Sequence, residues 1–332
     1  MNKHEEQIID EPPIVPLNKQ VLCIGGANMD RKIRAEKMLE FGTSNPAISS
    51  VSCGGVARNI AENLGRLGLN TSLLAFLGAD SEAERLMQHT KRYVNLEPIE
   101  IINDYPTGSY TAVLDDDGEM VIAFADMAIY DFVEPDFLGK KWEHFMTSEM
   151  ILLDMNFPKN VIQSIINQCR IENLPITIAT VSASKVKKLP ENLEGVTWLI
   201  ANQKEAESLS KISIQSEGDF FKAAEVILNK GVEKVVISRG NQGLIYFTKR
   251  GEAGALFPPE MLVKDVTGAG DSLISGILFG HYKGLNTEDA CKIGITCSML
   301  TIQSGETVNP FLNQQELLEA FQKYFSSGVY TK

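Results

Sequence analysis

Residues 265 to 271 read Asp265-Val266-Thr267-Gly268-Ala269-Gly270-Asp271 and run directly into an apolar helical stretch, Ser272-Leu273-Ile274-Ser275-Gly276-Ile277-Leu278. Glycines that open a helix can leave backbone N–H groups aimed at an anion, and an acid in the first turn can take a proton. The same letters also suit a plain turn ahead of a core helix. What accompanies them decides between the two.

The chain has 332 residues, 44% of them hydrophobic and 22% charged, as expected of a soluble globular protein with one large α/β domain or two ordinary ones. A net charge of -12 argues against an extended interface with nucleic acid or an anionic membrane, but leaves room for a nucleotide-sized ligand. Cys23, Cys53, Cys169, Cys291 and Cys297 are scattered, with no Cys-x-x-Cys pair. That pattern speaks against a disulfide scaffold or structural zinc and sets the expectation of a reducing cytoplasm. The histidines, His4, His89, His144 and His281, lie far apart. No run of about 18 apolar residues suggests a membrane span. The start, Met1 to Glu6, lacks the basic-then-apolar order of a secretory signal, and residues 1 to 19, with Pro12, Pro13 and Pro16, read as a disordered leader.

Short apolar runs predict strands at Val21 to Ile24, Ser72 to Phe76, Met150 to Leu153, Ile176 to Ala179, Thr197 to Ile200 and Val235 to Ser238. Helical patterns separate them at Val56 to Leu67, Ala83 to Val94, Asn160 to Ile171, Asn202 to Leu209, Phe220 to Asn229 and Ala269 to His281. This alternation predicts a mostly parallel sheet covered by helices, with ligands at the carboxyl ends of its strands. Residues 31 to 51 and 99 to 125 break the rhythm, the second around the hairpin signal Asp115-Asp116-Asp117-Gly118. Together they read either as ordinary edge hairpins or as a small β-sheet projecting over the site as a lid.

Several segments carry further candidate chemistry. Gly54-Gly55-Val56-Ala57-Arg58-Asn59 opens a helix with paired glycines, which suits close ligand approach or close packing, and places the Asn59 amide in its first turns. Asn28 and Asp30 follow the first strand, where a carboxylate can hold vicinal hydroxyls or simply form a turn. Asn202-Gln203-Lys204-Glu205 is a capping-box-like helix start whose Asn and Glu also share a face that can reach the waters of Mg²⁺. Ser238-Arg239-Gly240-Asn241-Gln242-Gly243 reads as a turn beside a nucleotide or as a hairpin. Neither the Walker loop nor the dinucleotide fingerprint occurs.

In combination, Gly54-Gly55 with Asn59, Asn202 to Glu205 and Asp265 to Asp271 resemble the signatures of the ribokinase-like PfkB carbohydrate kinases, over roughly Lys19 to Pro310. That resemblance implies an α/β fold, a three-layer α/β/α sandwich with a mostly parallel central sheet and a small β-sheet lid. It treats residues 20 to 332 as one kinase domain. Ser44-Asn45-Pro46, the run from Gly54 to Leu64, Ser109-Tyr110, Gly118-Glu119-Met120, Asp126-Met127 and Val181-Ser182-Ala183 resemble the pseudouridine-phosphorylating branch of the family. One departure stands out: Ala179-Thr180 occupies the place of an expected Asp-Pro.

What the resemblance implies is ATP-dependent phosphorylation of a 5′-hydroxyl, with Asp271 as general base and the N–H groups of Gly268, Ala269 and Gly270 as an anion hole. Asn28, Asp30, Gly54, Gly55 and Asn59 would hold the ribose, and Arg58, Ser109, Tyr110 and Asp126 would face the base. Asn202, Ser238, Gly240, Gly243 and Asn309 would border the nucleotide. Mg²⁺ would be held through water by Asn202 and Glu205, and a monovalent cation such as K⁺ would sit by Asp265 and Thr267. The implied partners are a nucleoside or sugar acceptor, ATP and a second copy joined through the lid. A kinase of another nucleoside or sugar, and a sensor that has lost catalysis, are the alternatives.

Overall fold

A computed structural model describes residues 20–326; the leader read over residues 1 to 19 lies outside the described residues. The chain begins β1 (Gln20–Ile24), β2 (Asn28–Ala35), β3 (Ala47–Gly54), α1 (Val56–Arg66), β4 (Asn70–Leu74) and β5 (Phe76–Gly78). It continues α2 (Ser81–Thr90), β6 (Glu100–Ile102), β7 (Ser109–Leu114), β8 (Met120–Asp126), α3 (Phe137–Met146), β9 (Ser148–Asp154) and α4 (Lys159–Ile171). The middle comprises β10 (Ile176–Ala179), β11 (Val196–Asn202), α5 (Gln203–Ser210), α6 (Glu217–Asn229) and β12 (Lys234–Ser238). It closes with β13 (Leu244–Thr248), β14 (Ala253–Leu256), α7 (Ala269–Tyr282), α8 (Thr287–Ser304) and α9 (Gln314–Phe321).

Eight strands form the main sheet in the order β14-β13-β12-β11-β10-β9-β1-β4. Pairing is parallel from β4 to β12, and β13 and β14 extend the far edge antiparallel. Both faces are buried, and β1 shows why: Val21 and Cys23 point into one core with α1, α7 and α8, while Leu22 and Ile24 point into the other with α4 and α6. Side chains alternate along a strand, so a run that is apolar at every position needs a helical layer on each side. Two helical layers around a parallel sheet are the result.

A second sheet, in the order β3-β2-β7-β8, draws its strands from the two stretches that break the α/β rhythm. There β2 pairs antiparallel with β3 and parallel with β7, and β7 and β8 close the Asp115 to Gly118 hairpin. The strand read as Ser72 to Phe76 divides: β4 stays in the main sheet, while β5 leaves it to pair with β6. Helix α8 is absent from the sequence reading because Ala290, Cys291, Ile293, Gly294, Ile295 and Cys297 are all buried, which leaves no clear apolar stripe. The five cysteines are free. No helix among the described residues is long and apolar enough to cross a membrane.

Candidate active site

The carboxyl ends of the central strands and the start of α7 converge. Gly268 caps α7 in the left-handed region at φ 79°, where a Cβ would collide with the Thr307 carbonyl oxygen. Only glycine allows that reversal without strain. Ala269 donates its N–H to Val266 O at 3.2 Å within the turn, and a Cβ at Gly270 would meet open space. The Asp265 carboxylate ties the turn from inside, its Oδ1 accepting from Thr267 N at 2.8 Å and Thr267 Oγ1 at 2.7 Å. Behind the turn, Leu273, Ile274, Ile277 and Leu278 anchor α7 in the core.

Asp271 lies in the first turn of this helix, and its Oδ2 accepts from Asn59 Nδ2 at 2.7 Å. Burial raises the Asp271 carboxyl to about 7 against the downward pull of the Asn59 bond and Arg58, with Asp154 and Asp30 adding to the rise. A carboxylate poised there can take a proton near neutral pH. Asn59 is itself oriented: Arg58 Nη2 donates to Asn59 Oδ1, which leaves the amide nitrogen for Asp271. Arg58 is buried and also donates to Glu62 Oε2 at 2.5 Å and to Cys53 O at 2.9 Å. Glu62 further accepts from Arg66; burial works to raise its carboxyl, but His89, Arg58 and Arg66 outweigh that and hold it at about 2. The structure therefore places Arg58 in a buried chain behind Asn59, where the sequence reading set it facing the acceptor.

Asn28 and Asp30 share one face of β2, and Asn28 Nδ2 donates to Asp30 Oδ1 at 2.6 Å. The space beside Gly54 is taken by the Asp30 carboxylate and that beside Gly55 by the Gly26 carbonyl. The close approach read from these glycines is thus made by protein groups, which set the acid in position. Burial raises the Asp30 carboxyl, opposed by Asn28, Arg58 and Lys32. Asp154, at the end of β9, is a site residue the sequence reading missed. Fully buried, it accepts from Gly26 N at 2.7 Å, Ala57 N at 3.2 Å and both the backbone and side chain of Asn156. It clamps the loop after β1 to the start of α1. Its place at a strand end was the available signal; its partners, 97 and 128 residues away, were not visible.

Farther along the same edge, Asn202 and Glu205 form a full capping box at the start of α5. Glu205 Oε2 accepts from Asn202 N at 2.8 Å and Thr180 Oγ1 at 2.5 Å, and Oε1 accepts from Asn202 Nδ2 at 2.8 Å. A carboxylate has about four lone-pair sites, so one on Oε1 stays available. That fits contact with a metal-bound water and does not fit a carboxylate cage. Thr180, at the site of the departure from the resemblance, holds Glu205 in place. Ser238, Gly240 and Gly243 form the turn of the β12–β13 hairpin, with Arg239 N donating to Gly243 O at 2.7 Å. Asn309 is buried with both ends of its amide used, donating to Leu300 O and accepting from Phe311 N. Ser109, Tyr110 and Asp126 lie in the small sheet, with Tyr110 and Asp126 exposed.

The seat beside Asp265 and Thr267 is filled from within. Lys32 Nζ, on β2, donates to Asp265 Oδ2 at 2.8 Å and to Thr267 Oγ1 at 3.0 Å. An ammonium there satisfies the donor set expected for a monovalent cation.

An anion-ready helix start, an acid at its first turn and a row of sugar-competent groups above it define an α/β phosphotransferase. The pfkB family carbohydrate kinase model matches residues 18–314, and the chain belongs to that family. It is 31% identical to pseudouridine kinase of Escherichia coli (strain K12) over 88% of this chain and 93% of that protein. It is 26% identical to guanosine-inosine kinase of Exiguobacterium acetylicum, over 87% and 96% respectively. Among solved structures, a carbohydrate kinase from Agrobacterium tumefaciens superposes with a TM-score of 0.80 at 28% identity, covering 92% of this chain and 98% of that one. Arabidopsis thaliana ribokinase, complexed with ribose and ATP, shares the fold with a TM-score of 0.80 at 18% identity over 92% and 99%. The fold is ribokinase-like, and the chain is a phosphotransferase acting on the alcohol group of a sugar or nucleoside.

Proposed function

We propose that the protein transfers the γ-phosphoryl group of ATP to the 5′-hydroxyl of pseudouridine, giving pseudouridine 5′-phosphate and ADP. The observation that carries the chemistry is the Asn59–Asp271 pair at the head of α7, with the carboxyl raised to about 7. The acceptor is supported by the 31% identity to a pseudouridine kinase over nearly the full length of both proteins.

In this reading Asp271 takes the hydroxyl proton as the acceptor oxygen bonds to the γ-phosphorus and the bond to the β-bridging oxygen breaks. The N–H groups of Gly268, Ala269 and Gly270, at a helix end carrying roughly half a positive charge, stabilise the charge on the transferring group. Ala269, whose N–H is shared with Val266, contributes least of the three. Asn28 and Asp30 hold the ribose hydroxyls, and Asn59 keeps Asp271 aimed. Asn202 and Glu205 would hold Mg²⁺ through its waters, and the ion would supply charge neutralisation for the phosphates. The small sheet acts as a lid that excludes water. Its β3 edge and the exposed Met120, Val121, Ile122 and Phe124 of β8 would be covered by a second copy, since an open apolar edge favours pairing. Sedimentation at micromolar concentration showing only monomer would contradict that pairing.

A kinase of another nucleoside or sugar is the second reading. It is favoured by the retreat of Arg58 behind Asn59, which leaves the small sheet to recognise the base. The sensor reading, motivated by Ala179-Thr180 in place of Asp-Pro, is opposed by the presence of Asp271, Asn202 and Glu205. ³¹P NMR of the product separates the first two: phosphate on the 5′ carbon of intact pseudouridine supports the proposal, and no phosphorylated pseudouridine under conditions that phosphorylate another acceptor refutes it.

A further inference from the structure

Asn28, Asp30 and Lys32 stand two residues apart on β2, so they share one face of the strand at intervals of about 7 Å. The first two are bonded to each other beside Gly54. The third is paired in the small sheet, but its side chain reaches out of it to Asp265 and Thr267, 233 and 235 residues along the sequence. Those two residues form the turn that delivers Gly268 and Gly270 to the head of α7. The same Asp265 carboxylate holds Thr267 N through its other oxygen, so the ammonium and the turn share one acid.

The geometry points to Lys32 as a positioning residue: a tethered cation that locks the lid onto the anion-hole turn and takes the place of a free monovalent cation there. The role concerns phosphoryl transfer, whichever alcohol is the acceptor.

Three features support it. First, the donor set is complete without an added ion: the carboxylate and hydroxyl that would face a metal ion each meet Nζ within 3.0 Å. A metal cation in the same seat would face the ammonium at contact distance, and like charges so close oppose each other. Second, the pair is half-buried, with 39% of the Lys32 side chain and 31% of the Asp265 side chain exposed, so the contact can open and re-form. Burial raises the Asp265 carboxyl, but Lys32 and Thr267 outweigh it and hold it low, as a paired carboxylate requires. Third, the lever is short. Asp30, which meets the acceptor in the proposed function, lies two residues from Lys32 on an extended strand, so seating the acceptor and seating the ammonium move one rigid segment. Arg31, between them, faces the other way and pairs with Glu82 on α2, which fixes the strand from behind.

The experiment measures ADP release from Mg-ATP by the full chain and by Lys32→Ala and Lys32→Met, in K⁺, in NH₄⁺ and in tetramethylammonium, with the most active of pseudouridine, uridine, ribose and fructose 6-phosphate as acceptor. Wild type is expected to turn over equally, within about twofold, in all three salts. Lys32→Ala, which leaves a cavity at the seat, should lose about tenfold or more in kcat in tetramethylammonium with little change in the KM for ATP. K⁺ or NH₄⁺ should restore much of that loss. Lys32→Met should show the same loss with little rescue, because its stem fills the seat. Wild type that requires K⁺, or Lys32→Ala that matches wild type in tetramethylammonium, would overturn the assignment. So would a loss in Lys32→Ala that neither K⁺ nor NH₄⁺ repairs. Wild-type turnover in these assays is independent of which acceptor wins, so failure here and failure of the pseudouridine proposal are separate results.

Discussion

The α7 turn and the small sheet meet where Lys32 reaches Asp265 and Thr267, and they are built on opposite principles. The turn is contiguous in sequence, locked by Gly268 against Thr307 and backed by the buried Leu273, Ile274, Ile277 and Leu278. The sheet is assembled from two segments, β2–β3 and β7–β8, in which Met29 pairs with Ser109, and residues 47 to 52 of β3 are all exposed. Under the proposed function, one region would hold the reacting groups and the other would admit and release a ligand. In the proposed function, chemistry is concentrated in a short motif and acceptor choice is distributed over a surface, an arrangement by which kinases of one fold can differ in substrate.

The sharpest way to break this contrast is Asp271→Asn, which keeps the shape and removes the base. Turnover should fall about 10²- to 10⁴-fold with an unchanged melting temperature; near-normal turnover would move the chemistry elsewhere. Next in size is Gly268→Ala. The left-handed φ alone costs about 1–2 kcal/mol for a side chain, and the clash with Thr307 adds to it. Melting temperature and kcat should both drop, whereas Gly270→Ala, with nothing near its Cβ, should leave the melting temperature in place.

Acidity gives a third test. With its carboxyl at about 7, Asp271 is increasingly protonated as pH falls below neutrality, and only the ionised form accepts a proton. kcat/KM should rise with pH up to about 7 and fall about tenfold per unit well below it. A flat profile from pH 5 to 8 would separate Asp271 from proton transfer. The smallest effect belongs to the sheet: Tyr110→Ala should alter the ratio of kcat/KM between two nucleosides by about tenfold while sparing ATP use. An unchanged ratio would remove Tyr110 from acceptor recognition.

Legibility in sequence follows the same division. The parallel strands were readable because each is a short apolar run, and the helix heads at Val56, Gln203 and Ala269 because glycines or a capping box mark them. Asp271 and Asn59 lie at two of those heads, and Asp30 follows the first apolar strand. Asp154 and Lys32 do not announce themselves, since each acts on partners about a hundred or more residues away. Arg58 was visible, but the direction of its side chain depends on Glu62 one turn along α1 and on burial that only the assembled core provides. Helix α8 was hidden because most of its residues are buried, which blurs the apolar stripe. Local signals gave the catalytic floor, and tertiary contacts supplied what holds it and what faces it.

The most direct test of the proposed function is a coupled ADP-release assay with Mg-ATP and pseudouridine, uridine, ribose and fructose 6-phosphate side by side, run with wild type and Asp271→Asn. The expected result is the highest kcat/KM for pseudouridine, lowered about 10²- to 10⁴-fold in the variant; a higher kcat/KM for any of the other three acceptors would contradict it.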